Sequence, residues 1–143
     1  MIEVSELEKM SEVDLSALVA EKLMGWKWQD EPDCEPCLVG PLVNWMGVKK
    51  QLVYYPPPKG RCDLPHYADD VSDAIKVLHD IASKNGARWF IESCCHEDGV
   101  MYWVMLDPND PEVDNTFDFT YRHQTLARAI CIVALLAKDR GAI

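Results

Sequence analysis

Four residues have the types and spacing of a metal site: Cys34 and Cys37 in Cys-Glu-Pro-Cys, then Cys62 and His66 in Cys-Asp-Leu-Pro-His. Zinc takes thiolate and imidazole ligands in a tetrahedron, and a Cys-x2-Cys turn presents two thiolates to one ion. Four protein ligands would fill the shell and leave no position for an activated water, so such a site is structural rather than catalytic. It would fasten the two ends of an irregular stretch and contribute to its folding. The alternative is four unrelated residues, with the thiols acting as small buried hydrophobes.

Cys94-Cys95-His96 is a second cluster. Adjacent residues of a strand point to opposite faces, so these two thiols do not readily share an ion. Cys95 and His96 as nucleophile and base would need a third orienting group and an oxyanion hole, and the sequence shows neither. Gly-rich phosphate loops, a Ser-centred elbow and paired-His metal motifs are absent. The chain leans away from catalysis.

The remaining candidates are binding residues. Trp45 lies beside Met46 with Tyr54 and Tyr55 nearby. Exposed, this aromatic cluster is a patch for a protein partner; buried, it is a satellite core. Arg122 and Arg128 near His123 could meet the phosphate of a small ligand such as a nucleotide, or be ordinary surface charge. Tyr67, Asp69 and Asp70 precede a helix, where Asp69 is the expected cap. Trp26 and Trp28 are expected to cover one end of the core, and Trp89 and Trp103 to face each other across a hairpin.

The elements that must position these residues follow from periodicity. Apolar Leu15, Leu18, Val19 and Leu23 have helical spacing and predict a helix over about 12–24, with Ser11 and Asp14 as a loose capping box. Ser5 with Glu8 marks a shorter helical piece before it. Lys50 to Tyr55 reads as a strand ended by three prolines. Val71, Ala74, Ile75, Leu78, Ile81 and Ala82 form one helical face that Asn85-Gly86 ends. Residues 88–94 and 100–106 are two strands, with Gly99 supplying the positive φ of the turn between them. Residues 116–120 alternate as a third strand that points Phe117 and Phe119 inward. A last helix, from Thr125 to about Lys138, is apolar almost all round, so it is buried on more than one side. His79 lies off its helix's apolar face and is expected in solvent.

The 143 residues make one domain, long enough to bury a core. An irregular, zinc-stapled insert is expected over about 25–66. The N-terminus has no signal-peptide pattern and no apolar run is long enough to span a membrane. A soluble cytoplasmic protein is expected, with six cysteines as thiols or ligands. The formal net charge of −10 repels nucleic-acid backbones and anionic membranes but suits a partner with a basic surface.

Three ordered blocks resemble the phage ABA sandwich domain family: Leu15 to Trp28, with its Met-Gly-Trp-Lys-Trp ending; Pro65 to Val71, a tyrosine and acidic residues entering a helix; and Leu126 to Ala137, the closing helix. The resemblance implies an α+β fold, an α-β-α layered sandwich with a small antiparallel sheet flanked by helices, and a phage or prophage origin. It implies no activity, and Cys34, Cys37 and Cys62 fall in the segment that varies among such proteins. The expected function is therefore that of a phage accessory protein acting by binding, an acidic inhibitor of a host defence complex that processes nucleic acid. A nucleotide-binding or sequestering protein is the alternative, and a thiol-dependent enzyme the third.

Overall fold

The computed structural model describes residues 2–30, 36–57, 63–97, 99–109 and 119–143. Among them it has four helices and two three-stranded antiparallel sheets, an α+β fold. Helices α1 (Val4–Lys9) and α2 (Glu12–Lys22) lead into strands β1 (Lys27–Gln29), β2 (Cys37–Trp45) and β3 (Val48–Tyr54). Helix α3 (Val71–Asn85) follows, then β4 (Arg88–His96), β5 (Gly99–Asp107), β6 (Thr120–His123) and α4 (Leu126–Asp139).

The core is built around α4. Every residue from Ala127 to Ala137 is buried, as a helix apolar on nearly its whole circumference requires. It packs against α1, α2, α3, β5 and β6, while α2 also packs against β2. Layers of helix and sheet are thus joined through one central helix.

Local signals set most boundaries. Ser11 Oγ accepts a hydrogen bond from the Asp14 amide at 3.1 Å and caps α2. Helix α1 is capped instead by Glu3 and Glu6, in a reciprocal box two residues earlier than Ser5 and Glu8 suggest. The cap of α3 is Asp70, not Asp69: its carboxylate accepts from the Ser72 and Asp73 amides. Asp69 pairs with His66 at 3.3 Å. Gly86 ends α3 in the left-handed conformation, φ +67°.

Among its described residues, the stretch expected to be irregular is mostly sheet. Strands β1, β2 and β3 form a meander, with Trp28, Leu38 and Tyr54 in register across it. Met46 and Gly47 both have positive φ, +50° and +82°, as a two-residue type I′ turn demands. A bulge at Gly40-Pro41 shifts the register between Val39 and Leu42, which lets a proline sit inside a central strand. Gln51 Nε2 donates to the Gly40 carbonyl there. Asp63 fastens the chain after the meander: its amide donates to Val53 O and its carboxylate accepts from the Val53 amide at 3.2 Å and from Lys50. These contacts tie the chain at Asp63 back to β3.

In the second sheet Trp89 pairs with Leu106, and Trp103 with Glu92. The two indoles therefore lie on opposite faces and do not meet. The third strand begins at Thr120. Phe119 is buried beside it, and the expected residues 116–118, Phe117 among them, lie outside the described residues.

Candidate functional site: an apolar hairpin tip beside acidic helices

The β2–β3 hairpin projects four large apolar side chains into solvent: Leu42 63%, Trp45 64%, Met46 84% and Val48 65% exposed. Trp45 and Val48 are directly paired beside the turn, and Met46 is at its apex. Lys49 and Lys50 follow on β3. Leu42, three residues before Trp45, lies on the other face of the strand. Scattered single hydrophobes are normal on a surface, but Trp45, Met46 and Val48 together at one turn are a candidate interaction feature.

The other expected partner residues separate from Trp45. Tyr54 is buried in the main core and Tyr55 is half-buried. They belong to the base of the hairpin, at the far end of β3 from Val48. Leu42 and Val48 are the exposed residues missed from sequence, where only Trp45 and its neighbour Met46 are named; the adjacent Gly47 was the signal for a turn.

A second surface is carried by α1 and the start of α2. Glu3, Glu6, Glu8, Glu12 and Asp14 are exposed there against a single cation, Lys9. Arg128 holds this edge in place. It is buried on α4, and its Nη2 donates to the carbonyls of Leu7 and Glu8 at 3.0 Å and of Met10 at 2.6 Å. The last carbonyls of a helix lack intrahelical partners, and this guanidinium satisfies those of α1. Tyr121 Oη adds a bond to Glu8 Oε1 at 2.7 Å, which together with burial raises the phenol pKa.

Arg128 therefore does not join Arg122 in an anion pocket. Arg122 is exposed on β6, directly across from Trp103, and the two line a depression of about 420 Å³ with Thr120 and Tyr121. The Thr120 hydroxyl is buried with no hydrogen-bond partner among the described residues. His123 Nδ1 accepts from the Thr125 amide at 2.9 Å, and its ring stacks on Tyr121. His79 is exposed, as expected.

Of the four expected zinc ligands, Cys34 and Cys62 lie outside the described residues. Cys37 is buried at the start of β2, and His66 is exposed with Nδ1 facing Asp69, an orientation that leaves Nε2 available to a metal. Among the described residues, no three His, Cys, Asp or Glu side chains form a metal-ligating group. Cys95 is an exposed free thiol, and the side chain of His96 lies outside the described residues.

The layered α+β architecture places the chain among small sandwich domains. It belongs to the phage ABA sandwich domain family, whose model matches residues 17–135. The match makes this a phage-associated protein, and leaves α1 and the acidic entrance to α2 before the matched span. No curated protein and no solved structure matches the chain. Among the described residues, no helix is long and apolar enough to cross a membrane.

Proposed function

We propose that this phage protein acts by binding, as an acidic inhibitor of a host defence complex that processes nucleic acid. It docks with the β2–β3 hairpin tip and presents its acidic helices to a basic surface of the target. The exposed Trp45, Met46 and Val48 at the turn carry this reading, with Leu42 exposed on the other face of the same hairpin. Tryptophan dominates binding energy at the centre of many interfaces, and methionine adapts to irregular partner surfaces. The net charge of −10 supports a basic target, since complementary charge speeds encounter and excludes wrong partners. In the same reading, zinc on Cys34, Cys37, Cys62 and His66 would stiffen the base of the hairpin, and the protein works in the host cytoplasm without contacting nucleic acid or membrane.

Purified host nuclease complexes should retain the protein at low salt and release it as salt rises. Absence of binding at low salt would sink the charge-driven version.

A second reading has its own observation. Arg122 beside the Trp103 indole, with the Thr120 hydroxyl that has no partner among the described residues, is a platform for a nucleotide: base on the indole, phosphate on the guanidinium. Saturating nucleotide should then raise the melting temperature, whereas a protein-only binder gives no shift.

A further inference from the structure

A groove of about 320 Å³ runs between α2 and the first sheet. Its helical wall is the stripe Asp14, Ala17, Leu18 and Glu21, spaced i, i+3, i+4 and i+7 along one face. Its sheet wall is Trp28 and Tyr54, which flank the fully buried Leu38 in register across three strands. Ala17 presents only a methyl group at the middle of the helical wall and leaves the groove open. The Trp28 side of the groove is accessible, with that residue 43% exposed.

The chemistry of these walls is selective. Both ends of the helical stripe carry a carboxylate, roughly 10 Å apart along the axis at 1.5 Å per residue. No described side chain pairs with the Asp14 carboxylate, and Glu21 has only its neighbour Lys22 at 3.6 Å. Between them lie an alkyl floor and two aromatic rings. An anion would meet two carboxylates and no cation among the lining residues. A neutral apolar group would leave those carboxylates unused. A cation on an alkyl stem matches every wall, because the stem covers Leu18 and the charged head gains both the indole face and the carboxylates.

We propose that this groove receives an arginine side chain of the protein partner. Arginine is favoured over lysine because a planar guanidinium stacks on an indole while offering edge N–H groups to carboxylates on either side, and is more weakly hydrated than an ammonium. The proposal rests on the reading that the protein binds a basic partner, and names the contact by which it would do so. The hairpin tip supplies apolar contact; the groove supplies selectivity for the cation.

The test uses the whole chain, labelled with 15N, and three peptides that differ at one residue: acetyl-Gly-Arg-Gly-amide, its lysine counterpart and its citrulline counterpart. The Trp28 indole signal is assigned with Trp28→Phe. The arginine peptide should shift that signal saturably, with a dissociation constant on the order of millimolar. The citrulline peptide should leave it in place, and the lysine peptide should bind more weakly. The near-isosteric pair Asp14→Asn and Glu21→Gln should weaken arginine binding by about tenfold or more, with the rest of the spectrum showing an intact fold. Equal shifts from arginine and citrulline, an unaffected double variant, or stronger binding of lysine would overturn the assignment. Loss of binding to the defence complexes with the arginine response intact would instead remove the target class and leave the groove.

Discussion

The indole of Trp26 lies so close over Gly40 that a Cβ at that glycine would stand 2.6 Å from Cζ2 and 2.7 Å from Cδ2. Real Cβ atoms do not approach ring carbons so closely, so the side chain just after α2 and the bulge in β2 are fitted to each other. The same glycine offers its carbonyl to Gln51. This pair joins the helical layer to the sheet that carries the hairpin.

Gly40→Ala is therefore expected to destabilise the protein by about 1–3 kcal/mol, the usual cost of overpacking. Urea denaturation reads the change. Trp26→Phe should cost less in the Gly40→Ala background than in the native chain, because the smaller ring relieves the clash. An unchanged midpoint for Gly40→Ala would contradict the packing described.

Arg128→Met is expected to cost about 1.5–3 kcal/mol, the range for hydrogen bonds to a charged group, because the carbonyls of Leu7, Glu8 and Met10 lose the guanidinium N–H groups. The loss should be local as well as global. Trypsin should cleave at the exposed Lys9 faster in the variant, with α4 still protected. Equal cleavage rates would show that α1 is held by other means.

Stability should fall in alkali. Burial pushes the Cys131 thiol up to about 12 from 9.0, and burial with nearby Asp73 pushes the Tyr67 phenol up to about 12 from 10.0. The two are linked: Cys131 Sγ donates to the Tyr67 carbonyl at 3.1 Å. The folded protein keeps protons that the unfolded chain releases, so this stabilisation is complete below about pH 9 and is lost as pH rises toward 12. Unfolding free energies compared at pH 8 and pH 11 should show the drop, and Tyr67→Phe should reduce it. Thiol labelling gives a second check, with the exposed Cys95 modified in the native state and Cys131 only on unfolding.

The zinc proposal is checked by elemental analysis of freshly purified protein. About one zinc per chain is expected, with Cys34→Ser abolishing it. Metal-free native protein would dismiss the site. The Asp63 clamp and the meander predict that the first sheet persists even then.

The parts of the fold legible in the sequence are those where local signals agree with tertiary burial. Asn85-Gly86 ends α3, and the all-round apolarity of α4 announces the centre of the core; Gly99 has the expected positive φ but stands in β5, paired with His96, rather than in the turn itself. The β2–β3 hairpin was hidden for two physical reasons. Its turn is Met46-Gly47 rather than an Asn-Gly or Asp-Gly pair, and Pro41 argues against a strand until the bulge accommodates it. Register decides the faces of Trp89 and Trp103, and a shift of one residue reverses them. Arg128 read as surface charge, although one arginine inside an otherwise apolar helix was itself a sign of a buried polar role. Of the candidate site, Trp45 was legible, while Tyr54 was drawn into the core by its register with Leu38.

If the hairpin tip binds a protein target, truncating the tip should abolish much of that binding. Trp45→Ala with Met46→Ala removes two largely exposed side chains, so the melting temperature should hold. Binding of purified host nuclease complexes by the native protein and by this double variant should be measured side by side at low salt. The account predicts at least a tenfold loss of affinity, about 1.4 kcal/mol or more, as expected when an interface anchor is truncated. Undiminished binding by the double variant would contradict it.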